Sequence, residues 1–211
     1  MPATARQPAA ALVRPGQNPL VYLDANVLLP QYLRSVFLDL ADAGLIRVHW
    51  GAKVLEEVRR NLRKPAFGRT ARQADALLRL IAEAFPDALV RASKTLERHF
   101  ANSTDPKDAH VAAGALKLSR ATGQPVILVT GNARHLPQSA FAGTRVRSVR
   151  PGAFLAALLA AQPQAAQVLA DMLARFKNPP VSQKDFLAIL DHLQCRAFAT
   201  ALAKKWGFAA A

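Results

Sequence analysis

Only one cysteine, Cys195, occurs among the 211 residues. That excludes an internal disulfide framework and any thiolate-built zinc cluster, and it fits a reducing compartment such as the cytoplasm. Long apolar runs are missing too. The longest stretches, such as Ala153 to Ala161, fall well short of the roughly 20 residues a membrane-spanning helix needs. Gly (10) and Pro (14) are too few for a fibrous or low-complexity chain. There is no glycine-rich, phosphate-cradling loop of the Walker type. With 51% hydrophobic residues, what remains is one medium domain, or one domain with a small appendage, able to bury a core.

Acid is scarce. Fourteen Asp plus Glu stand against 28 Lys plus Arg, giving a net charge of +14. A field of that sign attracts polyanions, of which nucleic acid is the usual one for so basic a domain. A basic solubility surface would give the same number, so charge alone leaves the two readings even. The excess is no detachable tail: residues 1–23 carry +2, residues 24–150 carry +9 and residues 151–211 carry +3. The densest patch is Arg59, Arg60, Arg63, Lys64, Arg69 and Arg72, followed by Arg145, Arg147 and Arg150.

Residues 1–19 read as a flexible leader, with five Pro or Gly and no acid. From Leu20 short apolar runs alternate with amphipathic stretches. Leu20–Leu23, Ile46–Trp50, Ala88–Val90, Val126–Val129 and Val146–Val149 read as strands. Gln31–Ala43, Ala52–Leu62, Thr70–Phe85 and Lys107–Ala121 read as helices, the first and last stopped by Gly44 and Gly123. This alternation predicts βαβ units and a mostly parallel sheet covered on both faces over residues 20–150. After Pro151 only helices are expected, so residues 151–211 read as an all-helical C-terminal extension.

In a parallel α/β sheet, ligands sit outside the carboxyl ends of the strands. Asp24 directly follows the first strand, although an Asx turn would explain it when taken alone. On the helix over 52–62, Val54, Leu55, Val58 and Leu62 define the buried stripe. Glu57 lies at its margin and Glu56 points further out, so Glu57 can reach a cleft. Asp105 is a good N-cap, Pro106 suits the first helical position and Asp108 the third. Capping thus explains both aspartates, yet Asp108 shares the inward face with Ala112, Ala115 and Ser119. Asn132 and His135 follow the strand at 126–129. Several carboxylates in one pocket repel one another unless a hard cation such as Mg2+ or Mn2+ neutralises them. In a basic protein such a pocket suits a phosphodiester.

These residues resemble the PIN-domain nucleases, and within them the VapC-type toxins of bacterial toxin–antitoxin pairs. The resemblance is carried by Leu23-Asp24-Ala25-Asn26-Val27-Leu28, Trp50 through Glu57 to Leu62, Phe85-Pro86-Asp87-Ala88-Leu89-Val90, Asp105-Pro106-Lys107-Asp108-Ala109-His110-Val111 and Val129-Thr130-Gly131-Asn132 with Leu136-Pro137. It implies a Rossmann-like three-layer α/β fold with a central parallel sheet. It also implies Mg2+- or Mn2+-dependent cleavage of RNA by a homodimer held inactive by a cognate antitoxin, with no membrane association. Carried over by position, Asp24, Glu57 and Asp108 are the catalytic and metal-binding acids. Asp105, Asn26, Thr130, Asn132 and His135 are the supporting residues, and Arg59, Arg60, Arg63, Lys64 and Arg134 are candidates for RNA binding. One departure stands out. Many relatives end the last motif Asp-Phe-Pro, whereas this chain has His135-Leu136-Pro137, which puts tight two-metal binding in doubt.

Two other classes compete. A catalytically weak RNA-binding protein on the same fold would explain His135. A phosphatase using Asp24 as nucleophile would call for a second Asp two residues on, where Asn26 stands.

Overall fold

A computed structural model describes residues 12–208. Within it the chain divides into two compact units, residues 19–150 and residues 151–208 together with 12–18. Residues 1–11 of the expected leader lie outside the described residues.

The larger unit is built on a five-stranded sheet. β1 is Leu20–Leu23, β2 Arg47–Gly51, β3 Leu89–Val90, β4 Val126–Val129 and β5 Val146–Val149, in spatial order β3-β2-β1-β4-β5. Every pairing is parallel, with Leu20 to Leu23 in register with Val126 to Val129. β1 and β4 are buried along their whole length. That is why both read as unbroken apolar runs rather than alternating ones, and it requires cover on both faces.

The cover is helical: α1 (Ala25–Leu28), α2 (Gln31–Asp42), α3 (Ala52–Leu62), α4 (Ala71–Ala84), α5 (Lys94–His99) and α6 (Ala109–Thr122). Each helix obeys a local signal. Val54, Val58 and Leu62 form the buried ridge of α3 at a four-residue spacing. Thr70 and Gln73 make a reciprocal capping box at the start of α4. Gly123 ends α6 at φ +66°, a left-handed conformation that glycine adopts without a Cβ clash.

Helix α6 presses closely on the sheet. A Cβ at Gly114 would stand 2.0 Å from the Tyr22 hydroxyl oxygen, so only glycine lets this helix cross β1 at that height. Around it the core gathers Tyr22, Phe37, Trp50, Phe100 and Phe141, each at most 1% exposed. Arg34 of α2 is also buried. Its guanidinium donates to the carbonyls of Leu28 (2.8 Å) and Leu29 (3.2 Å), satisfying the C-terminal end of α1.

The smaller unit comprises α7 (Pro151–Ala161), α8 (Ala165–Ala174), α9 (Gln183–His192) and α10 (Arg196–Lys205). Phe154, Leu158, Leu169, Phe186, Phe198 and Leu202 make its core. The Trp206 indole N–H donates to the Ala166 carbonyl at 3.1 Å. Val13 is buried in the described part of the leader, and the Gln17 carbonyl accepts from the Gln162 amide. Cys195 is buried, and burial pushes its thiol up to about 11. Among the described residues no single helix is long and apolar enough to cross a membrane, and α7 and α8 meet at a bend of 115°.

Candidate active site

The strand order places the site. Sequence-adjacent β1 and β2 run to one side and β4 and β5 to the other, so the connections diverge between β1 and β4. The topological switch point, where ligands of such sheets bind, is therefore at their carboxyl ends. Asp24 leaves β1 at that point and Thr130 leaves β4 beside it, joined by the hydrogen bond from the Asp24 amide to the Val129 carbonyl (3.1 Å).

Asp24 is 4% exposed, and its side chain is held from three directions. The Ala25 amide donates to Oδ1 at 2.6 Å, while the Thr130 hydroxyl donates to Oδ2 at 2.7 Å. The Asn26 amide also donates to Oδ2, and its carbonyl oxygen accepts from the Gly131 amide at 2.8 Å. The Asn132 amide donates to the Thr130 hydroxyl oxygen at 2.9 Å, and the Asn132 side chain donates to Asp108 Oδ2 at 3.3 Å. A continuous polar chain thus connects Asp24 to Asp108 across 84 positions of sequence.

Asp108 sits at the N-cap position of its helix, but its side chain joins this polar chain instead of making a capping bond. The sequence predicts a helix from Lys107 with Asp105 as its cap; the structure corrects this, since α6 begins only at Ala109. Asp105 Oδ1 accepts from the Lys107 amide at 2.9 Å within a turn, and the Asp108 side chain makes no capping bond. Freed of that duty, Asp108 faces His135, whose Nδ1 lies 3.3 Å from Asp108 Oδ2 and 3.4 Å from Asp105 Oδ2. The residue that departs from the family pattern is therefore in contact with two of the acids.

Glu57 stands at the margin of α3, with a quarter of its side chain exposed, while Glu56 faces out. Electrostatics tie Glu57 to the others. Burial pushes the Asp24 carboxyl up to about 6; hydrogen bonds from Thr130 and the Ala25 amide oppose the rise, while the charges of Asp108 and Glu57 add to it. Burial, then the charge of Asp108, raises Glu57, against the pull of Arg60. Three carboxylates from three separate segments thus sense one another.

Sequence reasoning missed several neighbours. Tyr22 lies under the site, its hydroxyl raised by burial and then by the charges of Asp24 and Glu97. Lys53 of α3 pairs with Glu97 of α5 at 2.6 Å. His110, in the first turn of α6, is buried, with Nε2 3.9 Å from Glu57 Oε1 and no hydrogen-bond partner for that atom. The motif Asp108-Ala109-His110 holds the only sequence signal for it. Among the candidate RNA-binding cations, Arg60, Arg63, Lys64 and Arg134 are exposed, as is Arg59, which pairs with Asp75 at 2.6 Å.

Among the described residues, no group of three or more His, Cys, Asp or Glu side chains is set to enclose a metal ion by itself. The donors nevertheless fit a hard divalent cation in kind. Mg2+ usually takes one or two carboxylates and keeps several waters. Here the charges of Asp108 and Glu57 add to the rise of Asp24, and an orphaned imidazole nitrogen stands 3.9 Å from Glu57.

A doubly flanked parallel sheet with clustered acids at its topological switch point defines the class: an α/β domain built to act on a ligand at the carboxyl edge of its strands. A family model described as PIN domain matches residues 20–134, and one described as VapC50 C-terminal domain matches residues 151–204. The first covers more than half of the chain, which therefore belongs to the PIN-domain family, as a VapC-type nuclease with a C-terminal helical extension. No curated protein and no solved structure matches it.

Proposed function

We propose that this chain is a Mg2+- or Mn2+-dependent endoribonuclease, the toxin of a toxin–antitoxin pair that acts in the cytoplasm. The observation that carries the reading is the buried Asp24 carboxylate at the switch point of the sheet, hydrogen-bonded through Thr130 and Asn132 toward Asp108 and raised by burial and by the charges of Asp108 and Glu57. A buried carboxylate with further negative charges beside it is stabilised by a divalent cation.

Asp24, Asp108 and Glu57 would hold the cation. When bound, it supplies Lewis acidity at the scissile phosphodiester. The chain's own residues then orient the reactants. Thr130 and Asn26 fix the rotamer of Asp24, and Asn132 fixes that of Asp108. Arg60, Arg63, Lys64 and Arg134 bind phosphates on either side of the cut, and Arg59 contributes once released from Asp75. A homodimer inhibited by a cognate antitoxin completes the reading.

His135 favours a second reading, a PIN-fold RNA-binding protein with feeble turnover, because an imidazole touches Asp105 and Asp108 where relatives place an acid. One experiment separates the two: the purified chain is incubated with total RNA and Mg2+ or Mn2+, with EDTA and the Asp24→Asn variant as controls. The nuclease reading expects fragments that vanish in both controls, and a higher cation requirement in Glu57→Gln. RNA that is bound with steep salt dependence, yet stays intact for hours with Mn2+, would establish the second reading instead.

A further inference from the structure

We propose that Nε2 of His110 is a direct ligand of the divalent cation, so that the site is a mixed nitrogen–oxygen one and holds Mn2+ more tightly than Mg2+. This rests on the nuclease reading and adds to it a ligand and a metal preference.

The His110 side chain is 8% exposed, and its Nε2 is the one buried side-chain nitrogen or oxygen without a hydrogen-bond partner among the described residues. A buried polar atom left unpaired is destabilising and calls for an account. The Lys107 backbone also acts on the ring and favours a proton on it. In the neutral tautomer protonated at Nδ1, Nε2 carries a free lone pair. A backbone carbonyl behind one ring nitrogen is the usual support for an imidazole whose other nitrogen binds metal.

The lone pair is aimed at carboxylates. Glu57 Oε1 is 3.9 Å away, and Asp24 is near enough for its charge to act on the ring. A lone pair facing a carboxylate oxygen is repelled unless a cation lies between them. Two ligands of one cation, each bonded at about 2.0–2.2 Å, stand roughly 3–4 Å apart; the observed pair falls within that span. Imidazole suits first-row transition ions, whereas Mg2+ is bound through oxygen. An imidazole in an otherwise carboxylate site therefore biases it toward Mn2+.

Calorimetric titration of the full chain with MnCl2 and MgCl2, with pulsed EPR of the bound Mn2+, tests this. We expect Mn2+ to bind at least about tenfold more tightly than Mg2+, with 14N coupling from a directly bound imidazole. His110→Asn should remove that coupling and lower Mn2+ affinity by on the order of 10- to 100-fold, with little change for Mg2+. His135→Asp should retain the coupling; that variant and the unaltered chain decide the question even where His110→Asn fails to fold. Bound Mn2+ without nitrogen coupling, or coupling that disappears with His135→Asp alone, overturns the inference and leaves the nuclease reading standing. Failure of both cations to bind overturns both.

Discussion

Replacing Asp24 with asparagine should stabilise the protein at neutral pH while removing its activity. Burial and neighbouring charge move this carboxyl from its ordinary 3.8 to about 6, which corresponds to about 3 kcal/mol spent holding the charge above pH 6. Asparagine avoids that cost. It cannot, however, accept both from the Ala25 amide and from the Thr130 and Asn26 donors, so one or two hydrogen bonds of about 1 kcal/mol each are lost. The net gain is about 1–2 kcal/mol, or roughly 2–8 °C in Tm for a chain of this size. The pH dependence fixes the sign. A group whose folded-state titration lies above its unfolded one favours folding below the unfolded value, and that favour is lost as pH rises through the folded one. The unaltered chain therefore loses stability from about pH 3.8 to pH 6, and Asp24→Asn does not follow. Melting curves between pH 4 and pH 8 should cross: the variant is more stable at pH 7.5 and less stable at pH 4. Saturating Mn2+ should raise the Tm of the unaltered chain far more than that of the variant. A variant less stable at pH 7.5, or a difference that ignores pH, would refute the claim that Asp24 carries a strained charge.

Two other substitutions probe the framework of the site. Thr130→Val removes the hydroxyl that donates to Asp24 and accepts from Asn132, so it should cost about 1.5–3 kcal/mol at pH 8 and clearly less at pH 4, where Asp24 is neutral; urea unfolding at the two pH values reads the difference. Gly114→Ala drives a methyl to 2.0 Å from the Tyr22 hydroxyl oxygen and 2.3 and 2.7 Å from its ring carbons. A loss of about 1–3 kcal/mol or more is expected by denaturant unfolding, and Tyr22→Phe should not rescue it because the ring carbons remain.

Much of the sheet was legible because its signals are local. β1 and β4 are short, wholly apolar runs ended by a polar residue, and Gly123 marks the end of α6. The inward lean of Glu57 relative to Glu56 followed from helical spacing against Val54 and Val58. Where the reading failed, long-range structure had overridden a local preference. Asp105-Pro106 is a sound helix start, yet the segment forms a turn whose Asp105 amide hydrogen-bonds the His135 carbonyl, and the helix waits until Ala109. That two-residue delay puts Asp108 at the N-cap position, where its side chain makes no capping bond and turns to Asn132 and His135 instead. Helix α5 and the Lys53–Glu97 pair went unread because the two residues lie 44 positions apart and nothing between them announces that they meet. His110 was visible only as a letter in a motif; its unpaired nitrogen is a fact of burial, which one-dimensional spacing does not carry.

The sealing of Cys195 inside the helical unit has a practical outcome. At 1% exposure, and with its thiol pushed up to about 11, it presents almost no thiolate to maleimide or methanethiosulfonate reagents at neutral pH. No background substitution is needed before labelling. A cysteine introduced at an exposed position such as Glu56 or Lys64 becomes the sole attachment point for a dye or nitroxide, and the protein can be stored without reductant in the meantime.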